Sequence, residues 1–369
     1  MAPSISNGNP SDHITQLKEI TAKGNLNRGG NRLSGPLKYT GLLDKYKNFK
    51  STTVIGQEFP NLQLKEILEA SNADDMIRDL AVLVSQRGVV FFRNQDITME
   101  QQKDLGMRLG LLTGKPTTSK LHIHPTTWQS SESGSEIAEI STRRNKQFHG
   151  FYDRRAEFDS KERASKGWHS DVTFEHTPSD YAILKLHTLP ESGGDTLWAS
   201  GYEVYDRLSP PFQKFLEGLT AYHSGDQFIR LAEALQKELR SERGSPENIG
   251  VDLDVIHPVV RTNPVTGWKS IYTPNHFTRH IMDVHSVESQ AIMDHIYHLI
   301  AENHDLQVRF SWAKNDLAIW DNRSTYHAAT FDVVGARHGD RVASLGERPF
   351  YDSNSKSRRE DLGEPILIK

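Results

Sequence analysis

His169 and Asp171 stand two residues apart in the run Gly167-Trp-His-Ser-Asp-Val-Thr-Phe174. On extended backbone, side chains alternate with period two, so this imidazole and carboxylate point to one side. The β-branched and aromatic context predicts a strand here. Joined by a second imidazole, the pair would form a 2-His-1-carboxylate face, which holds non-heme Fe(II) and leaves its other positions open. His327, just past the apolar run Leu317-Ala-Ile-Trp320, is the candidate for that imidazole.

A His-x-Asp pair is a loose pattern, and two later arginines sharpen it. Arg337 and Arg341 are four apart, which on an extended segment puts both guanidiniums on one face. Arginine stays charged and favours bidentate carboxylate-like partners, so two inward-facing arginines are costly unless anions meet them. The pattern therefore implies two anionic groups bound beside the metal.

The surrounding segments must position these groups. Residues 1–50 are rich in Ser, Asn, Gly, Lys and Pro and read as a flexible or loosely attached N-terminal arm. Residues 51–369 read as a single domain. Apolar spacing predicts helices over 62–68 and 74–84, the latter capped by Asn72 or Asp74, and a capped helix from Thr98. Further helices are expected at 200–217 and 284–302. Strands are expected at 88–93, 181–189, 195–200, 308–312, 317–320 and 341–345, with a hairpin whose loop is Asn263-Pro-Val-Thr-Gly267. Many short strands with helices around them predict an α+β fold built on a closed or two-sheet β core of jelly-roll type.

Composition narrows the function. The charged fraction is 25%, the apolar fraction 36% and the formal charge −4, as in an ordinary soluble protein with no attraction to nucleic acid or membrane. There is no cysteine, which excludes disulfides, thiolate nucleophiles and cysteine-held metals. No apolar run is long enough to span a membrane, and the N-terminus has no secretory h-region, so a cytoplasmic enzyme is expected. A homo-oligomer such as a dimer stays open. Among the 17 histidines, the spaced pairs His276/His280 and His295/His298 read as solvated or capping, and His122 as structural. The charged segment 356–362 reads as a solvated face.

The set His169-Ser-Asp171, Gly193-Gly-Asp-Thr-Leu-Trp198, Trp320-Asp-Asn-Arg323 with His327, and Arg337 with Arg341 through Phe350 resembles the taurine/alkylsulfonate and 2,4-D dioxygenase family. The similarity runs from about residue 85 to 352, with an insertion between about 128 and 165; the arm before residue 50 is similar to that of fungal sulfonate-dioxygenase-like members. It implies a double-stranded β-helix with flanking helices, and a reaction using Fe(II), 2-oxoglutarate and O2. It also implies that His169, Asp171 and His327 are the iron ligands. Thr196 and Arg337 would then bind the distal carboxylate of 2-oxoglutarate, and Arg341, His124 and Phe277 the primary substrate.

Departures fall in the substrate pocket. Thr127 stands where taurine-type members carry tyrosine, Ser165 lies near an asparagine position, and Phe228-Ile229 replace a Ser-Phe pair. A small anionic organic substrate remains implied, in a more apolar pocket. An organosulfonate giving an aldehyde and sulfite leads; a small carboxylate such as an amino or aryloxy acid is the alternative, xanthine a more remote one. A non-catalytic binding protein on the same core is the reading from another class.

Overall fold

A computed structural model describes residues 33–128, 134–141, 167–273, 276–330, 332–365 and 367. The elements in chain order are β1 (Phe49–Lys50), β2 (Gln57–Phe59), α1 (Leu64–Leu68), α2 (Ala73–Arg87), β3 (Val89–Phe92), α3 (Met99–Leu111) and β4 (Ile137–Ser141). Next come β5 (Ser179–Thr188), β6 (Thr196–Ser200), α4 (Gly201–Asp206), α5 (Pro210–Leu216), β7 (Thr220–Ser224), α6 (Asp226–Ala234), β8 (Asp254–Pro258) and β9 (Val260–Thr262). The chain continues through β10 (Lys269–Ile271), β11 (Thr278–Ile281), α7 (Ser286–Glu302), β12 (Gln307–Phe310), β13 (Leu317–Asp321), β14 (Thr325–Ala329), β15 (His338–Leu345) and α8 (Arg358–Leu362).

The strands form a seven-stranded sheet in the order β1-β2-β3-β13-β5-β15-β4, two three-stranded sheets, β12-β6-β14 and β11-β7-β8, and the β9–β10 hairpin. Among the described strand pairs only β2–β3 is parallel. Both faces of the large sheet are covered, which is why strands such as Val89-Val-Phe-Phe92 are continuously apolar. Phe91, Leu184, Trp320 and Ala343 on one face pack toward Trp198 and Phe310 of the β12-β6-β14 sheet. On the other face Ile183, Ile319 and Val342 meet Ile77, Leu80 and Val84 of α2 and Leu105 and Leu109 of α3. Each fully buried side chain of this kind stabilises by about 1.5–3 kcal/mol. The fold is thus mixed helix and sheet. Among the described residues no helix is long and apolar enough to cross a membrane.

Thr98 caps α3 through a reciprocal bond with Gln101, as its sequence predicts. The helix expected over 200–217 is instead two. It stops at Asp206 and restarts at Pro210, because two successive prolines fit the first turn of a helix but not its interior. From Leu37 the arm is packed on the body. Leu37 N donates to Val265 O, Thr40 donates to Asp79 from both N and Oγ1, and Leu43 is fully buried. Residues 1–32 of the arm lie outside the described residues. Within the segment expected to be an insertion, β4 extends the large sheet at its edge.

The charged segment 356–362 is exposed at Lys356 and at residues 360–362, as expected of a solvated face, but not at its two arginines. Arg358 is buried and donates to Glu203 and Glu364, and Arg359 also donates to Glu203. Glu203 has no exposure, and its charge explains why arginines follow it inside.

Candidate active site

His169 and His327 face each other across an isolated antiparallel bridge. His169 N donates to His327 O at 3.0 Å and His327 N to His169 O at 2.7 Å. Directly paired residues put their side chains on the same side, and the imidazole centroids are 4.1 Å apart. His327 lies on β14, where it pairs with Trp198 of β6. His169 is not on a strand. The chain bridges only at this residue and then turns through 171–174, with Val172 at φ 49°. A β-branched residue in this left-handed region is strained, as at many functional sites. Ser170, between the two polar residues, turns the other way and donates to Thr325 O at 2.6 Å.

Asp171 completes the group. Its Oδ1 lies 3.9 Å from His169 Nε2 and 3.8 Å from His327 Nε2, and these three residues offer ligand atoms within 4.8 Å of one another. His169 Nδ1 meets Gly167 O at 2.8 Å, which fixes the proton on Nδ1 and leaves the Nε2 lone pair for the centre. Burial pushes both imidazoles below their ordinary pKa, His327 strongly, so both are neutral donors at pH 7. Burial would push Asp171 up, but Arg341 and the two histidines bring it down to about 2. Asp171 Oδ2 is buried with no hydrogen-bond partner among the described residues. Two neutral imidazoles and an ionised, partly unsatisfied carboxylate fit a divalent cation such as Fe(II).

Arg341 reaches this centre, and Arg337 lies at Thr196 of the neighbouring strand β6. Arg337 Nε donates to Gly194 O at 2.9 Å and Nη2 to Thr196 Oγ1 at 3.2 Å. Thr196 also accepts from Trp312 Nε1. It shares a face of its sheet with His327, because His327 pairs with Trp198 and Ala329 with Thr196. Gly194 must be glycine: its φ is 73°, and a Cβ would come within 2.9 Å of Arg337 Cδ. Burial pushes the Arg337 guanidinium down to about 10, and it stays charged at pH 7.

Arg341 Nη1 donates to Asp171 Oδ1 at 2.5 Å, so here it holds a triad member. It also lines a cleft with His124, Thr127 and Ala138. His124 Nδ1 accepts from Thr126 N, which places the proton on Nε2. Phe277 does not line that cleft. It sits in an apolar cluster with Val172, Phe174, Leu253 and Phe228. The Phe228 ring joins the two regions, 4.6 Å from His124 and 6.2 Å from Phe277. Ile229 packs against the same cluster, and Ser165 lies outside the described residues.

Two neighbours escaped the sequence reading. Phe174 forms the floor between Phe228 and Phe277, and only the alternation of an aromatic near Asp171 hinted at it. His276 lies 5.5 Å from the His169 ring and bonds Gln227, so it borders the site rather than capping a helix. His122 meets buried Glu175, which Arg243 also holds, but it lines the same cleft as His124 and Arg341 rather than serving structure alone.

The sequence matches the family described as taurine catabolism dioxygenase TauD, TfdA family over residues 46–343. It is 44% identical over 366 residues to the alpha-ketoglutarate-dependent dioxygenase esdpJ of Penicillium shearii, spanning 89% of this chain and 96% of that protein. Identity is 34% over 307 residues to an alpha-ketoglutarate-dependent sulfonate dioxygenase of Saccharomyces cerevisiae, spanning 82% and 68%. The crystal structure of a taurine dioxygenase from Burkholderia xenovorans aligns with a TM-score of 0.62 at 26% identity, over 83% of this chain and 91% of that one. The chain therefore belongs to the TauD/TfdA family of 2-oxoglutarate-dependent dioxygenases, oxidoreductases that use Fe(II) and O2.

Proposed function

We propose that this enzyme hydroxylates a C–H bond of a small anionic organic substrate, an organosulfonate first. The observation that carries the reading is the pair of inward guanidiniums flanking the triad, Arg337 at Thr196 and Arg341 at Asp171. The sulfonate dioxygenase of yeast, at 34% identity, supports the substrate class. We read the two facing sheets as a double-stranded β-helix, residues 51–369 as one domain, and the enzyme as cytoplasmic.

In this reading His169, Asp171 and His327 hold the iron. Bound iron, with 2-oxoglutarate and dioxygen, supplies the oxidising power, and succinate and CO2 leave as co-products. Arg337 and the Thr196 hydroxyl bind the distal carboxylate of 2-oxoglutarate, orienting it by a charge-assisted pair. Arg341 holds the substrate anion from the cleft side, and His124 offers an Nε2 proton to it. Phe174, Phe228 and Phe277 exclude water from the carbon chain. Hydroxylation at the carbon bearing sulfur collapses to an aldehyde and sulfite.

The same aromatic wall favours a second reading, a carboxylate with an apolar body such as an aryloxy acid. Succinate, sulfite and oxidised product, measured together over a sulfonate and carboxylate panel, separate them. Sulfite equal to succinate supports the sulfonate. Turnover only on carboxylates supports the second reading, and no substrate-dependent succinate with any of them overturns both.

A further inference from the structure

A second polar cluster lies on the opposite face of the large sheet. In β15, Asp340 pairs with Lys185 of β5 and with Glu139 of β4. Alternation sorts the side chains. Arg341 pairs with Leu184, whose side chain belongs to the core between the sheets, whereas Val342 pairs with Ile183 and Ile137 in the core beneath α2 and α3. His338 and Asp340 share the face of Val342, His187 that of Ile183, and Glu139 that of Ile137. Continuing the Asp340–Lys185 register would set His338 across from His187, and a bulge there offsets the two by one residue.

The result is two imidazoles and one carboxylate at one place, with a second carboxylate, Glu139, against His338. His187 Nε2 is 3.2 Å from Asp340 Oδ2, His338 Nε2 is 3.3 Å from Glu139 Oε1, and the imidazole centroids are 4.6 Å apart. Ligand atoms of His187, His338 and Asp340 lie within 4.8 Å of one another. Tetrahedral zinc, with bonds of about 2.0–2.2 Å, sets its ligand atoms about 3.3 Å apart. Both measured His–carboxylate separations match that edge. All four side chains are partly exposed, so an ion can reach them and small rotations can close the set.

We infer that His187, His338 and Asp340, with Glu139 beside His338 turning in as a fourth ligand, form a second site for a zinc-class divalent ion, distinct from the catalytic triad. Mixed imidazole and carboxylate donors select Zn(II), Ni(II) or Cu(II) over Mg(II) and Ca(II), which take oxygen sets. The ion would tie edge strand β4, whose one strand neighbour here is β15, to the sheet behind Arg337 and Arg341.

Zn(II) titration of the metal-free, untagged chain tests this, with bound metal counted after gel filtration. The wild type should hold two equivalents, the His187→Asn/His338→Asn chain one, and the His169→Ala/His327→Ala chain one. Co(II) in the last chain should give the intense visible bands of tetrahedral coordination, and Zn(II) should slow amide exchange in 137–141. Two equivalents in the His187→Asn/His338→Asn chain, or none in the His169→Ala/His327→Ala chain, overturns the inference. Loss of the triad's equivalent alone would instead count against the catalytic reading. The two failures are therefore distinguishable, and the Co(II) spectrum holds even if the first variant does not fold.

Discussion

Replacing Arg337 with Met keeps the length and packing of the side chain while removing the guanidinium that donates to Gly194 O and Thr196 Oγ1. If that guanidinium binds the distal carboxylate of 2-oxoglutarate, the variant loses a charge-assisted pair. Hydrogen bonds to charged groups contribute about 1.5–3 kcal/mol each. A loss of about 3 kcal/mol raises the KM for 2-oxoglutarate about 100-fold. The KM for the primary substrate should change far less. Stability without the co-substrate should change little, because two effects oppose. The folded chain holds this proton less well than the unfolded one, since the pKa falls from 12.5 to about 10. That fall corresponds to a penalty of about 3 kcal/mol, present at every pH below 10 and relieved only as pH rises through 10 toward 12.5. The two bonds lost among the described residues come from a charged donor, and at about 1.5 kcal/mol or more each they offset that gain. The unliganded variant should therefore melt within about 3 °C of the wild type. Thermal melts with and without 2-oxoglutarate, under anaerobic Fe(II), read both effects. A KM for 2-oxoglutarate within threefold of wild type would refute the assignment, and a collapse of the unliganded melting temperature would show a structural role.

Asp171→Ala or His169→Ala should abolish iron-dependent turnover while circular dichroism shows the fold retained; full activity in either would remove the triad. Arg341→Met should raise the KM of the primary substrate more than that of 2-oxoglutarate, and the reverse ranking would mean the two arginines exchange roles. Gly194→Ala places a Cβ against Arg337 Cδ, so its KM for 2-oxoglutarate should rise at least tenfold with the primary-substrate KM little changed. Glu203→Ala leaves Arg358 and Arg359 without their buried carboxylate, and breaking such a set costs about 3–5 kcal/mol, visible as a lower urea midpoint with unchanged kcat in the surviving folded fraction.

The candidate triad was legible because it rests on local spacing plus one distant histidine beside an apolar strand. Its reason was only half right. Alternation does separate His169 and Asp171 from Ser170, yet the chain leaves extended structure at once, through Val172 at φ 49°. Nothing in a valine announces a left-handed backbone, since that residue type disfavours it. Helix ends marked by local chemistry, such as Thr98, were readable. The break at Pro210-Pro211 was equally local and should have outweighed the apolar periodicity across it. Partners were not readable. Glu203 meets Arg358 and Arg359 across more than 150 residues, and no pattern in either segment names the other.

The same limit explains Arg341. Its spacing from Arg337 put it on the inward face, where it lies, but the sequence could not show that the nearest anion is Asp171 of the triad itself. That contact has a physical consequence for the proposed substrate site. A guanidinium held at 2.5 Å from a buried carboxylate has one of its donors engaged, while its Nε is buried and has no partner among the described residues. A planar fork of five donors can keep the first contact and still offer an edge to a second anion. A divalent ion at the triad would compete for Asp171 and repel Arg341, freeing more of that edge. Anion recognition and metal binding are thus coupled through one carboxylate, so the substrate KM of Arg341 variants is meaningful only at saturating iron.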